Sequence, residues 1–190
     1  GMRYHHLPNV QRQIDFVFSL KKNTIIKYMA FVMNKFIFLV DSLNRLITLS
    51  LESKELYKMR VQPFSITCIE TDPVVPWVLL GLTDGTILVY DVVEDRISNY
   101  MINNWQKLAN FEDSNENSEV VCIKWNPKDL GTVLISYKKL TVLYSLTEQS
   151  VKQTFVYQIP QNMPGSNSSS NSKRVRRRPF VIQSLFHPSS

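Results

Sequence analysis

Histidine, cysteine and long apolar runs are scarce in this chain of 190 residues. The three histidines are His5 and His6 near the start and His187 before a proline, so they offer no Ser/His/Asp or Cys/His arrangement for nucleophilic catalysis. No apolar run approaches the roughly 20 residues that a membrane-spanning helix needs. The start also lacks the basic-then-apolar layout of a secretion signal. These absences argue against an enzyme, a metal site, a cofactor and an integral membrane protein.

The two cysteines, Cys68 and Cys122, fall at equivalent positions of two similar segments, each on a predicted buried strand. Two such thiols are more typical of core packing than of a disulfide or a metal pair, and they suit a reducing cytosol. A hydrophobic content of 44% is typical of a soluble globular domain. We therefore expect one cytoplasmic domain with a core of its own.

The stretch from Trp77 to Val92 predicts a β-hairpin. Two apolar runs flank Thr83-Asp84-Gly85-Thr86, and Asp-Gly between β-rich runs is a strong turn signal because Gly accepts positive φ without strain. Gly81 lies inside the first run. A glycine there indicates a place where a neighbouring group packs close to the backbone.

The hairpin unit recurs along the chain. Similar pairs of short, β-branched runs occupy 36–51 and 132–146. Another shared element, an apolar run that ends in a proline, appears three times, with its prolines at 73, 127 and 188 separated by 54 and then 61 residues. A repeat of this length that contains only short strands is typical of a β-propeller blade.

The repeat divides the chain into blades and flanking segments. We expect an all-β fold, a partial propeller of about three four-stranded antiparallel blades plus flanking strands. The predicted segments are 1–21 with the outer strand of a preceding blade, blades at 22–62, 63–104 and 120–160, an insertion loop at 105–119, a disordered Ser/Asn-rich basic loop at 161–178, and the first strand of a next blade at 179–190.

Both long loops join the last strand of one predicted blade to the first strand of the next. In a propeller such connections emerge on one face, and surface loops of this kind usually carry binding function. The first loop contains Trp105, a candidate anchor for a partner. The second ends in a basic cluster that consists of Lys173, Arg174, Arg176, Arg177 and Arg178.

The sequence leaves three interpretations of the basic cluster open. It is the solvated end of a disordered loop, or it contacts anionic membrane lipid, where each basic residue contributes roughly 1 kcal/mol. Nuclear import or RNA binding is disfavoured because no aromatic residue interleaves with the charges. The charges also alternate along the chain, with ten Lys/Arg and four Asp/Glu in 1–60 but seven and twelve in 61–172. This alternation favours docking onto proteins over binding of nucleic acid.

Several segments resemble the lethal giant larvae/tomosyn family of WD-repeat proteins, and most of all its yeast exocytosis and polarity members. They are I-T-C-I-E-T-D (66–72), W-V-L-L-G-L-T-D-G-T-I-L-V-Y-D (77–91), C-I-K-W-N-P-K-D-L-G-T-V-L-I-S-Y (122–137), Y-S-L-T-E-Q-S-V-K-Q-T-F-V-Y (144–157) and V-I-Q-S-L-F-H-P (181–188). The usual Trp-Asp dipeptide is replaced by Tyr90-Asp91, Tyr144-Ser145 and Leu49-Ser50. The buried Asp-His hydrogen-bond network of common WD repeats therefore gives no support to the resemblance.

The resemblance implies an internal piece of the first of two seven-bladed WD-repeat propellers, without enzymatic activity or cofactor. It also implies the partners of the family, which are plasma-membrane t-SNAREs, a secretory Rab-type GTPase and exocyst components. The expected function is a scaffold that regulates SNARE assembly and vesicle docking in polarised exocytosis, in the cytoplasm and peripherally at the plasma membrane. The alternative is an adaptor propeller of an RNA-processing or trafficking-coat complex. A three-blade piece should expose apolar faces at both ends and self-associate.

Overall fold

The computed structural model describes residues 23–103, residues 118–157 and the backbone of the short strand Gln183–Leu185. These ranges contain strands and turns, and no helix among them could span a membrane. The all-β class expected from the sequence is confirmed. The segment 1–21, nearly all of the loop 105–119 and the loop 161–178 lie outside the described residues.

The first sheet is an antiparallel meander of four strands in sequence order. Its strands are β1 (Ile26–Val32), β2 (Phe36–Asp41), β3 (Arg45–Ser50) and β4 (Leu56–Val61). Leu39, Ile47 and Leu49 form a buried cluster on one face of this sheet, with Ile37 packed against it. Cross-strand pairs place them there, since Leu39 is opposite Ile47 and Ile37 is opposite Leu49.

The second sheet repeats this arrangement with β5 (Ile66–Thr71), β6 (Trp77–Leu82), β7 (Ile87–Asp91) and β8 (Arg96–Ile102). Strands β6 and β7 are buried on both faces, from Val78 to Leu82 and from Ile87 to Tyr90. A strand that is covered on both sides needs apolar residues at successive positions. The continuous apolar runs in the sequence follow from this burial.

The third sheet consists of β9 (Val120–Asn126), β10 (Asp129–Tyr137), β11 (Leu140–Ser145) and β12 (Ser150–Val156), and a short strand β13 (Gln183–Leu185) extends it. We expected 179–190 to begin a next blade. Instead, β13 pairs antiparallel with β12, with Val156 opposite Gln183, and becomes a fifth strand. Among the described residues, β13 is the strand that pairs with the outer edge of β12, where the backbone groups of an edge strand are available to a later segment.

The chain divides into two compact units, Gly1–Gln62 and Pro63–Ser190. In the second unit, both sheets contribute to one hydrophobic core, from Leu79 and Val89 in the second sheet to Ile123, Val133 and Ile135 in the third. Strands β5 and β9, the first of each sheet, lie side by side, and Thr67 Oγ1 donates a hydrogen bond of 2.6 Å to Val120 O. Sheets that pack face to face with adjacent first strands are typical of propeller blades.

Gly81 lies at a close approach between the two sheets of the second unit. A Cβ at this position would be 2.6 Å from Cys68 Sγ and 2.9 Å from Val120 Cγ1. Both distances are shorter than real Cβ contacts, so only glycine fits between β5 and β9. The close approach predicted from the sequence is confirmed.

The predicted hairpin at 77–92 is also present. Gly85 has φ of 87°, Gly85 N donates to Leu82 O at 3.2 Å, and Leu82 N donates to Thr86 O at 2.9 Å. This is a three-residue hairpin loop with glycine in the left-handed position. It sets β6 against β7 with Leu80 opposite Leu88 and Val78 opposite Tyr90.

Candidate interaction surfaces

All six residues predicted to make contacts with partners lie outside the described part of the chain. They are Trp105, Lys173, Arg174, Arg176, Arg177 and Arg178. What the structure does describe is the set of strand ends from which their two loops depart.

Both loops depart from the same end of the second unit. Ile102, the last residue of β8, pairs with Ile87 beside the turn 83–86. Ser118, where the chain returns, donates from Oγ to Thr83 O at 3.3 Å. Tyr157, which follows β12, donates from its backbone N to Lys139 O at 2.8 Å. We call this end the insertion face; it consists of the turns 83–86 and 138–139 and the ends of β8, β9 and β12.

The insertion face is held rigidly by the core beneath it. Ile102 and Val120, which flank the first loop, are 1% and 0% exposed. Tyr137 is buried and donates its hydroxyl to Gly85 O at 3.4 Å, which joins the third sheet to the turn of the second. Loops on such a scaffold can present side chains to a partner without moving their own ends.

Electrostatic contacts between the second and third sheets are structural. Lys124 Nζ lies 2.7 Å from Glu70 Oε2 across β9 and β5, and this hydrogen bond raises the pKa of Lys124. Burial raises the pKa of Cys68 to about 11 and that of Tyr100 to about 12. Tyr100 donates its hydroxyl to Leu146 O at 3.0 Å. These groups are protonated near neutral pH in any case, and the raised pKa values extend the protonated range to higher pH.

The outward face of the third sheet is chemically mixed. The core residues of β9–β12 point toward the second sheet, whereas the opposite face carries Leu134, Leu143 and Phe155 together with hydroxyl, thiol and amide groups. Ser136 lies opposite Cys122 and Thr141, and its Oγ is 2.9 Å from Thr141 Oγ1. Leu134, on the same face, is 38% exposed. Alternation along these strands thus leaves apolar and polar side chains interspersed on this face.

The turn carboxylates have local roles in the backbone. Each accepts a hydrogen bond from the backbone N of the residue two positions later, as Asx turns do. The pairs are Asp72 with Val74 at 2.7 Å, Asp84 with Thr86 at 2.9 Å, Asp91 with Val93 at 3.0 Å and Asp129 with Gly131 at 3.0 Å. Among the described residues, no group of three or more His, Cys, Asp or Glu is placed to hold a metal ion.

Most aromatic side chains on the strands pack in the core. Tyr90, Tyr137 and Tyr144 are buried, and Trp125 packs at the edge of the shared core. Trp77 is the exception, because 38% of it is exposed. It lies at the end of the sheet opposite the insertion face, where its indole Nε1 donates to Asp91 Oδ2 at 3.1 Å.

A pocket on the first sheet was not foreseen from the sequence. It has a volume of about 360 Å³ and lies between the β1–β2 and β3–β4 turns, lined by Asn34, Lys35, Phe36, Ser50, Leu51 and Glu52. The Phe36 ring packs against Tyr57 with centroids 5.0 Å apart. Beside the pocket, Met33 has φ of 50°, an unusual value for a bulky residue. The short Met33-Asn34 break between two apolar runs is the one sequence signal that marks this turn.

Comparison with known proteins assigns the family. The chain is 45% identical over 180 residues, 95% of its length, to the Lethal(2) giant larvae protein homolog SRO77 of Saccharomyces cerevisiae. The chain belongs to the lethal giant larvae family. It is also 28% identical over 160 residues, 77% of its length, to an uncharacterized protein of Schizosaccharomyces pombe. No family model matches the chain.

Both relatives are much longer than this chain, which spans 18% of the first and 16% of the second. Among solved structures, the fold is similar to the β-propeller domain of Cps50 (Swd1) from Myceliophteria thermophila, with a TM-score of 0.55. That match covers 69% of this chain and 48% of the other at 10% identity. The likeness shows the fold alone, and the chain is a partial WD-repeat β-propeller of the lethal giant larvae family.

Proposed function

We propose that this lethal giant larvae family chain is part of a non-enzymatic scaffold that regulates SNARE assembly and vesicle docking in polarised exocytosis. The observation that supports the proposal most is the 45% identity to a lethal giant larvae homologue over 95% of the chain. The insertion face is consistent with a scaffold, because two long loops depart from strand ends that are fixed in one core. Binding through such loops needs no catalytic residues.

The proposed partners are those that the family resemblance implies, namely t-SNAREs, a secretory Rab-type GTPase and exocyst components. The proposed location is the cytoplasm, with peripheral attachment to the plasma membrane at sites of exocytosis. The basic cluster at 173–178 is the proposed contact with anionic lipid.

A pull-down with purified proteins tests the exocytic role. The 190-residue chain, and a chimaera in which it replaces the matched segment of the S. cerevisiae relative, are each incubated with a plasma-membrane t-SNARE and with a vesicle SNARE as control. Selective retention of the t-SNARE by the chimaera supports the proposal. Retention of neither protein, together with crosslinking of RNA to the chain, would instead favour the adaptor role in an RNA-processing complex.

We also propose that the chain by itself self-associates through the first sheet. Met29 and Phe31 project from the same face of β1 and are 70% and 63% exposed. They flank the buried cluster of Leu39, Ile47 and Leu49 on the same face. Exposed apolar side chains of this kind are stabilised when another protein surface covers them.

A further inference from the structure

The outer strand of the first sheet, β4, combines three properties that rarely occur together at a sheet edge. Among the described residues, it pairs with β3 alone. Four of its six residues are large apolar side chains that are 42–67% exposed: Leu56, Tyr57, Met59 and Val61. The other two, Lys58 and Arg60, are cations. Edge strands usually avoid exposed apolar side chains because these invite pairing with another chain.

The register of β4 fixes which backbone groups are available. Gln62 N donates to Asn44 O at 3.2 Å, and Leu46 pairs with Arg60. Because hydrogen-bonded and non-hydrogen-bonded pairs alternate in an antiparallel sheet, Arg60 directs its backbone groups toward β3. Met59 and Val61 therefore direct their N–H and C=O groups toward the outer edge.

The side chains of β4 alternate in chemistry as well as in direction. Leu56, Met59 and Val61 lie opposite Leu49, Ile47 and Arg45, on the face that carries the buried Leu39 cluster. Lys58 and Arg60 lie on the other face, opposite Thr48 and Leu46. A strand added beside β4 would meet apolar side chains on one face and cations on the other.

The third sheet shows that an outer strand of this chain accepts an added strand. Strand β12 has the same position in its sheet as β4, the fourth of four, and β13 pairs antiparallel with its outer edge. The start of β4 also adjoins the pocket at Asn34, Lys35 and Phe36, through the contact of Phe36 with Tyr57. A strand on β4 could thus place a terminal side chain in this pocket.

We propose that β4 is a docking edge for an extended segment of a partner protein in which acidic and apolar residues alternate. The apolar residues of the segment pack beside Met59 and Val61, and the acidic residues lie beside Lys58 and Arg60. Backbone hydrogen bonds to Met59 and Val61 supply affinity, and the alternation supplies specificity. This surface lies on the first sheet and does not depend on the loops of the insertion face.

The test uses the full chain and a labelled seven-residue peptide of alternating Glu and Val, with a Lys-Val peptide and a scrambled Glu-Val peptide as controls. Fluorescence anisotropy should show binding of the alternating Glu-Val peptide alone. In amide exchange followed by NMR, a saturating amount of this peptide should slow the amides of Met59 and Val61 at least about tenfold. The Arg60 amide, already bonded to β3, should change little.

Two substitutions refine the test. Met59→Pro removes one outward N–H from an edge position that tolerates proline, and it should weaken binding about tenfold. Arg60→Glu should weaken binding of the Glu-Val peptide and improve that of the Lys-Val peptide, whereas Lys128→Glu, the same charge change in a turn of the third sheet, should do neither. The exchange result needs no variant, so it remains decisive if a variant fails to fold.

Several results would overturn the proposal. One is equal binding of the Glu-Val and Lys-Val peptides, and another is binding without slower exchange at Met59 and Val61. If these two amides are slow without peptide and become fast when residues 1–22 are removed, the chain itself occupies the edge. If their exchange slows with protein concentration alone, the occupant is a second copy.

Discussion

At the scale of single residues, Gly81 and Cys68 share one tightly packed place. The thiol of Cys68 fills the space that a side chain at position 81 would occupy, and Val120 closes it from β9. The sequence shows that Gly81 interrupts an apolar run, but it does not show which groups approach it. Those groups come from β5 and β9, and Val120 is 39 positions away in the chain.

Replacement of Gly81 by alanine should destabilise the chain by about 1–3 kcal/mol, the usual cost of overpacking. The Cβ would overlap Cys68 Sγ and Val120. Gly131→Ala is the matched control, because the nearest atom to its Cβ is 3.2 Å away on the side chain of Asp129. Urea unfolding measures both, and Cys68→Ala should recover part of the loss at Gly81. Equal stability of the two alanine variants would contradict the close approach at Gly81.

Alkaline pH should weaken the fold through Cys68. Burial raises the pKa of its thiol from 9.0 to about 11, so the folded state holds the proton more tightly than the unfolded state. The stability that this supplies is complete below pH 9 and is lost as the pH rises toward 11. Urea unfolding between pH 8 and pH 11 should show a steeper loss for the natural chain than for Cys68→Ala. The same steepness in both would exclude this role of the thiol.

At the scale of elements, the strands follow closely from the sequence because each is a short β-branched run bounded by turn residues. The sequence predicts a hairpin over residues 77–92, and the structure has β6 at Trp77–Leu82 and β7 at Ile87–Asp91. The sequence does not predict that Gln183–Leu185 pairs with β12, because the local pattern of a strand does not show which sheet edge it joins. The pocket beside Met33 was missed for a similar reason: its walls come from two separate turns.

The β1–β2 turn should be improved by Met33→Asn. Met33 and Asn34 have φ of 50° and 53°, and Lys35 N donates to Val32 O at 3.0 Å, which is the geometry of a type I′ turn. Asparagine accepts this conformation far better than methionine, so stability should rise by about 1 kcal/mol. Met33→Ala shortens the side chain but keeps the strained Cβ, and it should gain little. Thermal unfolding of both variants measures the difference, and an equal gain in stability would contradict backbone strain at Met33.

At the scale of the whole molecule, exposed apolar side chains are unevenly distributed over the described residues. Most of the strongly exposed ones belong to β1, β4 and the adjoining turn residues, including Ile25, Met29, Phe31, Met59 and Val61. The outward face of the third sheet has apolar and polar side chains interspersed instead. The two sheets therefore differ in their tendency to attract other protein surfaces.

Self-association should depend on the first sheet. The double substitution Met29→Glu and Phe31→Glu places two charges on its apolar face and should shift the chain toward monomer in sedimentation velocity at micromolar concentration. Leu134→Glu, on the outward face of the third sheet, is the matched control and should leave the distribution unchanged. A natural chain that is already a folded monomer at this concentration would disprove the proposed self-association.

The burial of Ile102 and Val120 in a single core has a practical consequence. Because the core fixes both positions whatever the length of the segment between them, a longer segment costs only loop-closure entropy, about 0.6 kcal/mol for each doubling of its length. An epitope or a fluorescent reporter inserted near position 110 should therefore leave the fold of the chain intact. Tagged in this way, the protein could be followed in a living cell with both its ends left untouched.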